Sequence, residues 1–194
     1  MDTLKSAILA GLCIGLGGIV NLKTGGVTGA ILFSFGLLTV VHYKYKLFTG
    51  TAGFTETKQQ FVDLGIILLG NILGCAALAY TIDLAVPDLY TEAQSIMFKR
   101  LSLSPLQACI LAIFCGFVMT ASVRHARENR FLPLLFGVPL FILCGFLHSI
   151  ADAFYYALAL MHNQITAELV LLYASIVAGN FVGCNLYRFS KTSR

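Results

Sequence analysis

The sequence predicts an all-α integral membrane protein with six transmembrane helices. Hydrophobic residues make up 58% of its 194 positions and charged residues only 11%, and the mean hydropathy is +0.83. A soluble domain of this size would carry about 25% charged residues. A motif that occurs near the end of each half further predicts that the chain is built from two related halves.

Six apolar runs approach the length of about 20 residues that a helix needs to cross a bilayer. The second run leads into the polar, glycine- and threonine-rich stretch 43–57, and the fifth contains Pro139 and is too long for one crossing. Irregular backbone at membrane depth requires surrounding protein or a cavity, so we expect both of these helices to be broken. The six runs are residues 6–22, 27–43, 61–82, 103–122, 132–160 and 167–188.

The positive charges predict the orientation of these spans. No cleavage site for a signal peptide follows the first run. Basic residues are concentrated on the side of the termini, and the few on the other side are offset by acidic ones. The positive-inside rule therefore predicts that both termini are cytoplasmic, and we expect one channel domain over 1–194, with halves at about 6–82 and 103–188. The basic residues on the terminal side are Lys5, Lys58, Arg124, Arg127, Arg130, Arg188, Lys191 and Arg194.

The repeated motif is Gly-Asn followed by two apolar residues and Gly-Cys. It occurs in 70-GNILGCAALAY-80 and in 179-GNFVGCNLYRF-189. Each copy closes a half of three spans, so the halves enter the membrane in opposite directions, as in an inverted repeat. The alternative is a chance likeness between two packing helices whose glycines, four residues apart, permit close contact.

Several classes of site are not expected. The cysteines all fall in apolar runs without a CxxC spacing, which favours reduced, small core residues over a disulfide or a metal site. The absence of a nucleophile–base pair, an HExxH motif or a metal-ligand cluster argues against a membrane enzyme and against a cofactor. The lack of a basic stripe argues against a nucleic-acid partner. The cysteines are Cys13, Cys75, Cys109, Cys115, Cys144 and Cys184.

The stretch 145-GFLHSIADAF-154 places two ionisable residues inside an apolar run. Such residues are costly in a membrane and are functional hypotheses by default. For His148 the alternative is a core histidine that caps a backbone carbonyl. On a continuous helix Asp152 would share its face and could reach its imidazole. If the helix breaks between them, Asp152 faces elsewhere, for example toward lysines of the other half.

Four pieces of sequence together resemble the formate/nitrite transporter family. They are 31-ILFSFGLLTVV-41 leading into 47-LFTG-50, then 145-GFLHSIADAF-154, and the two Gly-Asn motifs. Their order and spacing match that family over about residues 7–188. The resemblance implies a homopentameric, aquaporin-like channel. Its fold would be an inverted three-plus-three repeat with broken second and fifth helices.

The resemblance also implies roles for residues at matching positions. His148 matches the central pore histidine, and Thr49 the threonine of the loop that interrupts the second span. One apolar constriction would be formed by Phe33, Leu37 and Phe141, and the other by Leu47, Phe48 and Phe114.

The sequence departs from the family pattern at four positions. Lys46 stands where an acidic residue is usual, Asp152 where asparagine is usual, and Leu111 where many members carry a pore asparagine. For the lysine expected in a vestibule, only Lys99 lies near, and it is out of register. Lys46 either attracts anions or extends toward the membrane interface. These departures leave the substrate open.

The function implied is a channel or proton-coupled transporter in the inner, cytoplasmic membrane. Its permeants would be small monovalent weak-acid anions: formate, nitrite, short carboxylates such as acetate or lactate, or hydrosulfide. The partners are then the anion or its neutral acid, protons and membrane lipids. A dry slit rejects a charge, so the anion would be neutralised at His148, by the histidine itself or by a proton from bulk water. The alternative is a passive pore for water, ammonia or hydrogen sulfide.

Overall fold

The structure is a computed structural model that describes residues 2–190, and the apolar runs within them are helical. Two of the predicted tail cations, Lys191 and Arg194, lie outside the described residues. One-turn 3₁₀ segments follow the third helix at Ala52–Phe54 and the ninth at Tyr187–Ser190. In chain order the α-helices are α1 (Thr3–Thr24), α2 (Gly26–His42), α3 (Phe48–Thr51), α4 (Lys58–Ala85), α5 (Leu89–Leu101), α6 (Pro105–Arg127), α7 (Leu132–Leu143), α8 (Ser149–Ala159) and α9 (Ala167–Leu186).

Helices α1, α4, α6 and α9 are long and apolar enough to cross a membrane without interruption. Local sequence explains where two of them begin. Thr57 and Gln60 form a capping box at the start of α4, and Ser104 and Gln107 form one at the start of α6. In each box the hydroxyl and the amide satisfy backbone N–H groups that the first turn leaves free.

Two spans are broken, as predicted. In the second span α2 is followed by α3, and in the fifth α7 is followed by α8. Both breaks begin with a left-handed residue, Lys44 at φ 56° and Gly145 at φ 68°. The next amide reaches back over the helix end in the same way in each, from Tyr45 to the Val40 carbonyl and from Phe146 to that of Phe141, both at 2.9 Å. This is a Schellman ending, and its recurrence is part of the inverted repeat.

The connector between the halves is helical, which the sequence analysis did not predict. Helix α5 follows α4 and precedes α6, and it buries Leu89, Ala93 and Met97. These residues are four apart, the spacing of one helical face. We call the face where α1 begins and α9 ends the terminal face, and the opposite one, which carries α5, the far face. The cations Arg124 and Arg127 form the last turn of α6 on the terminal face, just beyond the predicted fourth run of 103–122.

The first asparagine of the repeated motif holds the first break. The Oδ1 atom of Asn71 accepts the N–H of Phe48 at 2.9 Å. Its Nδ2 donates to the carbonyls of Ala7 at 2.8 Å and Lys46 at 2.9 Å. One fully buried side chain therefore joins α1, α4 and the break, and it satisfies backbone groups that a continuous helix would have paired internally.

The second asparagine does the same in the other half. The Oδ1 atom of Asn180 accepts the N–H of Ser149 at 2.7 Å. Its Nδ2 donates to the carbonyls of Ala112 at 2.8 Å and Leu147 at 2.7 Å. The two copies of the motif thus make equivalent contacts, which favours a true repeat over a chance likeness and agrees with the predicted fold class.

The glycines of the motif permit backbone contact between long helices. A Cβ atom at Gly74 would overlap the carbonyl oxygen of Ile8 on α1, and one at Gly183 would overlap that of Ile113 on α6. Any side chain would force these helices apart, so the asparagines could no longer reach their carbonyls. By contrast a Cβ at Gly65, also on α4, would meet no atom within 4 Å.

The motif cysteines link the halves to each other. The Sγ atom of Cys75 lies 3.4 Å from the carbonyl oxygen of Ile150 in α8. That of Cys184 lies 3.3 Å from the carbonyl of Thr49 in α3. Cys75, Cys115 and Cys184 are buried, whereas Cys144 is exposed and is not a core residue. Each half therefore supplies the long helix that supports the other half's broken one.

We expect Asn180→Ala to destabilise the protein strongly. The substitution leaves the Ser149 amide and the Leu147 carbonyl without partners in a buried place, at about 1–3 kcal/mol for each, and it removes the link to α6 at Ala112. Thermal unfolding of the detergent-solubilised protein should show a large fall in Tm. The matched control is Asn163→Ala, because that half-buried side chain bonds to Gln94 and to the Ala159 carbonyl, where water can replace it. Equal falls for both variants would contradict this role for Asn180.

Gly74→Ala should disrupt the packing of α4 against α1, whereas Gly65→Ala on the same helix should not. The first substitution drives a methyl group into the backbone of α1, and the second places it in open space. Because alanine favours a helix over glycine by up to about 1 kcal/mol, Gly65→Ala should be neutral or slightly stabilising. Yield and elution profile in size-exclusion chromatography measure both. A well-behaved Gly74→Ala protein would show that the close approach is not needed.

Candidate functional site

The two breaks meet at a hydrogen bond between His148 and Thr49. The Nε2 atom of His148 lies 2.9 Å from Oγ1 of Thr49, although the residues are far apart in sequence. Exposure is 2% for His148 and 1% for Thr49. His148 is the N-cap of α8, and Thr49 lies in the short helix α3. Both residues were predicted from the sequence for the centre of the pathway, and the structure brings them together.

The second ring nitrogen of His148 fixes which tautomer is present. Nδ1 accepts the backbone N–H of Ala151 at 3.2 Å. Since that amide can only donate, Nδ1 carries a lone pair, and the proton of the neutral imidazole is on Nε2. Nε2–H then donates to Oγ1 of Thr49. The Thr49 hydroxyl keeps its own hydrogen free to donate to a molecule beside the pair.

One predicted constriction packs directly on the histidine. The ring of Phe141 stacks on that of His148, with centroids 5.4 Å apart and planes at 25°. Phe33 meets Phe141 edge to face at 6.0 Å. Phe33, Leu37 and Phe141 are all at most 3% exposed. The imidazole therefore lies against an apolar wall contributed by α2 and α7.

The other predicted constriction is divided in the structure. Leu47 and Phe48 are buried at the start of α3, next to Thr49. Phe114 is 50% exposed and stacks on Phe146 at 5.4 Å. Phe48 and Leu47 are thus placed beside the histidine–threonine pair, whereas Phe114 lies on an outer surface of the chain. Its assignment to the pathway stays a prediction.

A cavity of about 700 Å³ opens on the terminal face. Leu37, Leu47 and Gly50 line it, which brings it next to the predicted apolar residues. Most of the charged residues in its wall are cations, so it favours anions. The Nζ atom of Lys46, one of these cations, donates to Oγ1 of Thr3 at 2.7 Å. The charged or titratable residues of the wall include His42, Lys44, Lys46, Asp63 and Arg127.

Asp152 does not pair with His148 in the structure. Its Oδ1 atom lies 3.6 Å from Nε of Arg100 on α5, and its side chain is 1% exposed. Of the two alternatives left open by the sequence, the second therefore describes the structure, with an arginine rather than a lysine as the partner. Sequence reasoning missed Arg100. The signal was available, because a buried carboxylate requires a cation and Arg100 directly follows Lys99.

A helical bundle whose two broken spans meet at a buried, hydrogen-bonded histidine, above a cavity rich in cations, defines a membrane channel or transporter. The family described as "Formate/nitrite transporter" matches residues 1–187. The chain therefore belongs to the formate/nitrite transporter family, as its motifs indicated. The protein is a multi-pass membrane channel or transporter and not an enzyme.

Solved structures agree with this fold. One described as "Pentameric formate channel with formate bound" has a TM-score of 0.87 at 20% identity, covering 97% of this chain and 94% of the other. A second, "FNT family ion channel", has a TM-score of 0.86 at 20% identity, covering 95% and 86%. Among curated proteins none matches the sequence.

The tautomer of His148 can be tested directly. Protein labelled with ¹⁵N-histidine in a background without His42, His125 and His162 should give the nitrogen shifts of a neutral ring protonated on Nε2. Thr49→Val should alter the Nε2 shift, because it removes the acceptor, whereas Thr49→Ser should preserve it. A wild-type ring protonated on Nδ1 would contradict the hydrogen bond from Ala151.

Proposed function

We propose that the protein carries small monovalent weak acids, with formate as the first candidate, in a proton-coupled manner, and that neutralisation occurs at His148. The observation that supports this most is the 2.9 Å contact between His148 and Thr49 in a place where both are almost fully buried. It combines a proton-exchanging group, a hydroxyl and an apolar wall within a few ångströms.

The chemistry follows from the cost of desolvation. Transfer of an anion from water into an apolar slit costs far more free energy than transfer of its neutral acid. The cations around the terminal-face cavity attract the anion. The free hydrogen of Thr49 can donate to an anion oxygen, while Nε2–H of His148 donates to the Thr49 oxygen and so orients that hydroxyl. A proton taken up there gives a neutral acid, which passes the apolar wall of Phe33 and Phe141.

Histidine suits this step because its ordinary pKa of about 6.5 is the nearest among side chains to physiological pH. His148 can give a proton only as the imidazolium, which forms when Nδ1 binds a proton from water in place of the Ala151 hydrogen bond and which returns to the neutral ring when it gives a proton to the anion. A bulk proton that neutralises the anion while His148 only donates a hydrogen bond would give the same net transport. The passive pore for neutral solutes is not favoured, because the chain belongs to a family of formate and nitrite transporters.

Assembly and placement in the cell are part of the proposal. Bulky apolar side chains such as Phe35 at 66% exposed and Phe136 at 73% exposed face outward, and lipid or neighbouring subunits would cover them. A structural neighbour is described as pentameric, so a homopentamer is proposed here, with one pathway through each subunit. The basic residues of the terminal face support cytoplasmic termini in an inner membrane.

Replacement of the histidine tests the proposal. His148→Phe removes both the proton-exchanging group and the donor, and it should abolish formate flux driven by a pH gradient in liposomes. His148→Asn keeps a donor but cannot titrate, so any remaining flux should lose its dependence on the gradient. His125→Asn, on the terminal face, is the control. Wild-type flux in His148→Phe would refute a role for this residue.

A further inference from the structure

Polar groups follow one side of α8 from His148 toward the far face. Asp152 comes one turn after His148, and Tyr156 one turn after Asp152, so successive members lie about 6 Å apart along the axis. All three side chains are at most 5% exposed. Facing this side are Arg100 on α5, at 3.6 Å from Asp152, and Tyr173 on α9, whose ring centroid is 6.0 Å from that of Tyr156.

These groups are buried but incompletely paired. Within residues 2–190, no hydrogen-bond partner is present for Oδ2 of Asp152, Nε of Arg100 or the hydroxyls of Tyr156 and Tyr173. A buried polar group that stays unpaired destabilises the folded protein. Native proteins leave few buried polar groups in that state. Four such groups on facing helices, one a pure acceptor and the others donors, could all be satisfied by a small polar molecule that both donates and accepts.

The charge of this cluster determines which molecule it accepts. Arg100 is always protonated, and by itself it would attract an anion. The carboxylate of Asp152 cancels that attraction and repels an anion. A neutral acid, however, can donate its O–H to Oδ2 of Asp152 and accept from Arg100 or a tyrosine hydroxyl.

We propose that Arg100, Asp152, Tyr156 and Tyr173 form a second binding subsite, on the far side of His148, which takes the protonated form of the weak acid rather than its anion. The cation-rich cavity of the terminal face selects the opposite form. The two mouths of one pathway therefore differ in the species they recognise. This inference rests on the proposed function and assigns recognition of the neutral acid to the far end of the pathway.

Other titratable groups near Asp152 are weak acids of the interior. Tyr155 and Tyr156 of α8, Tyr173 of α9 and the Cys115 thiol of α6 all lie within range of an electrostatic interaction with it. Arg100 is the cation that faces Asp152, and His148 occupies the preceding turn. Because Arg100 and Asp152 offset each other, replacement of Asp152 changes the net charge of the subsite from neutral to positive.

The test measures initial rates of formate uptake as a function of total formate concentration. Membrane vesicles are separated according to whether a C-terminal tag is accessible from outside. Those in which the tag is enclosed present only the far face to added formate. If the subsite takes the neutral acid, the half-saturating total concentration rises about tenfold per pH unit above the acid's pKa, because the neutral fraction falls by that factor. The maximal rate then changes little. A half-saturating concentration that does not change with pH would overturn the inference.

Asp152→Asn should convert the subsite to an anion site. The half-saturating concentration then becomes nearly independent of pH and the maximal rate becomes pH-dependent, while Asp88→Asn, an exposed position on the same face, behaves as wild type. Wild-type pH behaviour in a folded Asp152→Asn protein would overturn the inference.

The double variant Arg100→Gln/Asp152→Asn keeps the subsite neutral and removes the unpaired arginine that could prevent folding of Asp152→Asn. In this double variant the half-saturating formate concentration should still rise with pH, and at every pH it should be higher than in the wild type. A pH-independent value would contradict the inference. If wild-type vesicles show no formate flux, the proposed function fails. If flux is present without the predicted shift, only the subsite fails.

Discussion

The hydrogen bonds of two asparagine side chains make the rest of this structure possible. A break in a membrane helix exposes backbone groups that the hydrocarbon cannot satisfy. Asn71 and Asn180 each bind one amide and one carbonyl of a break, and each anchors it to a carbonyl of a neighbouring long helix. The site exists because these breaks are stable. Thr49 follows the amide held by Asn71, and His148 precedes the amide held by Asn180.

A rigid break also defines what His148 can do. As the N-cap of α8 it binds the Ala151 amide through Nδ1, so its ring cannot turn without losing that bond. Only Nε2 is directed at Thr49, and the stacked Phe141 covers the ring face. The protein therefore presents one nitrogen to the pathway in a defined orientation.

The sequence was sufficient for most of the fold but not for all of the site. Apolar length and the Gly-Asn motif predicted the spans, the breaks and the inverted halves, because these depend on burial and on local backbone chemistry. Thr49 was predicted through family resemblance alone, whereas His148 was also predicted because it is an ionisable residue inside an apolar run. Helix α5 was missed because it is short and only amphipathic. Arg100 was missed for the same reason, since the partner of a buried carboxylate depends on how α5 packs over α8.

The thiol contacts of Cys75 and Cys184 bear on the order in which the structure can form during synthesis. Each motif cysteine lies against the opposite half's broken helix, Cys75 near Ile150 and Cys184 near Thr49. During synthesis the first break emerges long before α9, the helix that supports it. Until α9 is synthesised, the first half of the chain therefore lies in the membrane with α3 only partly supported. Completion of both pathway segments then becomes a single late event, when α9 packs against α6 and reaches α3.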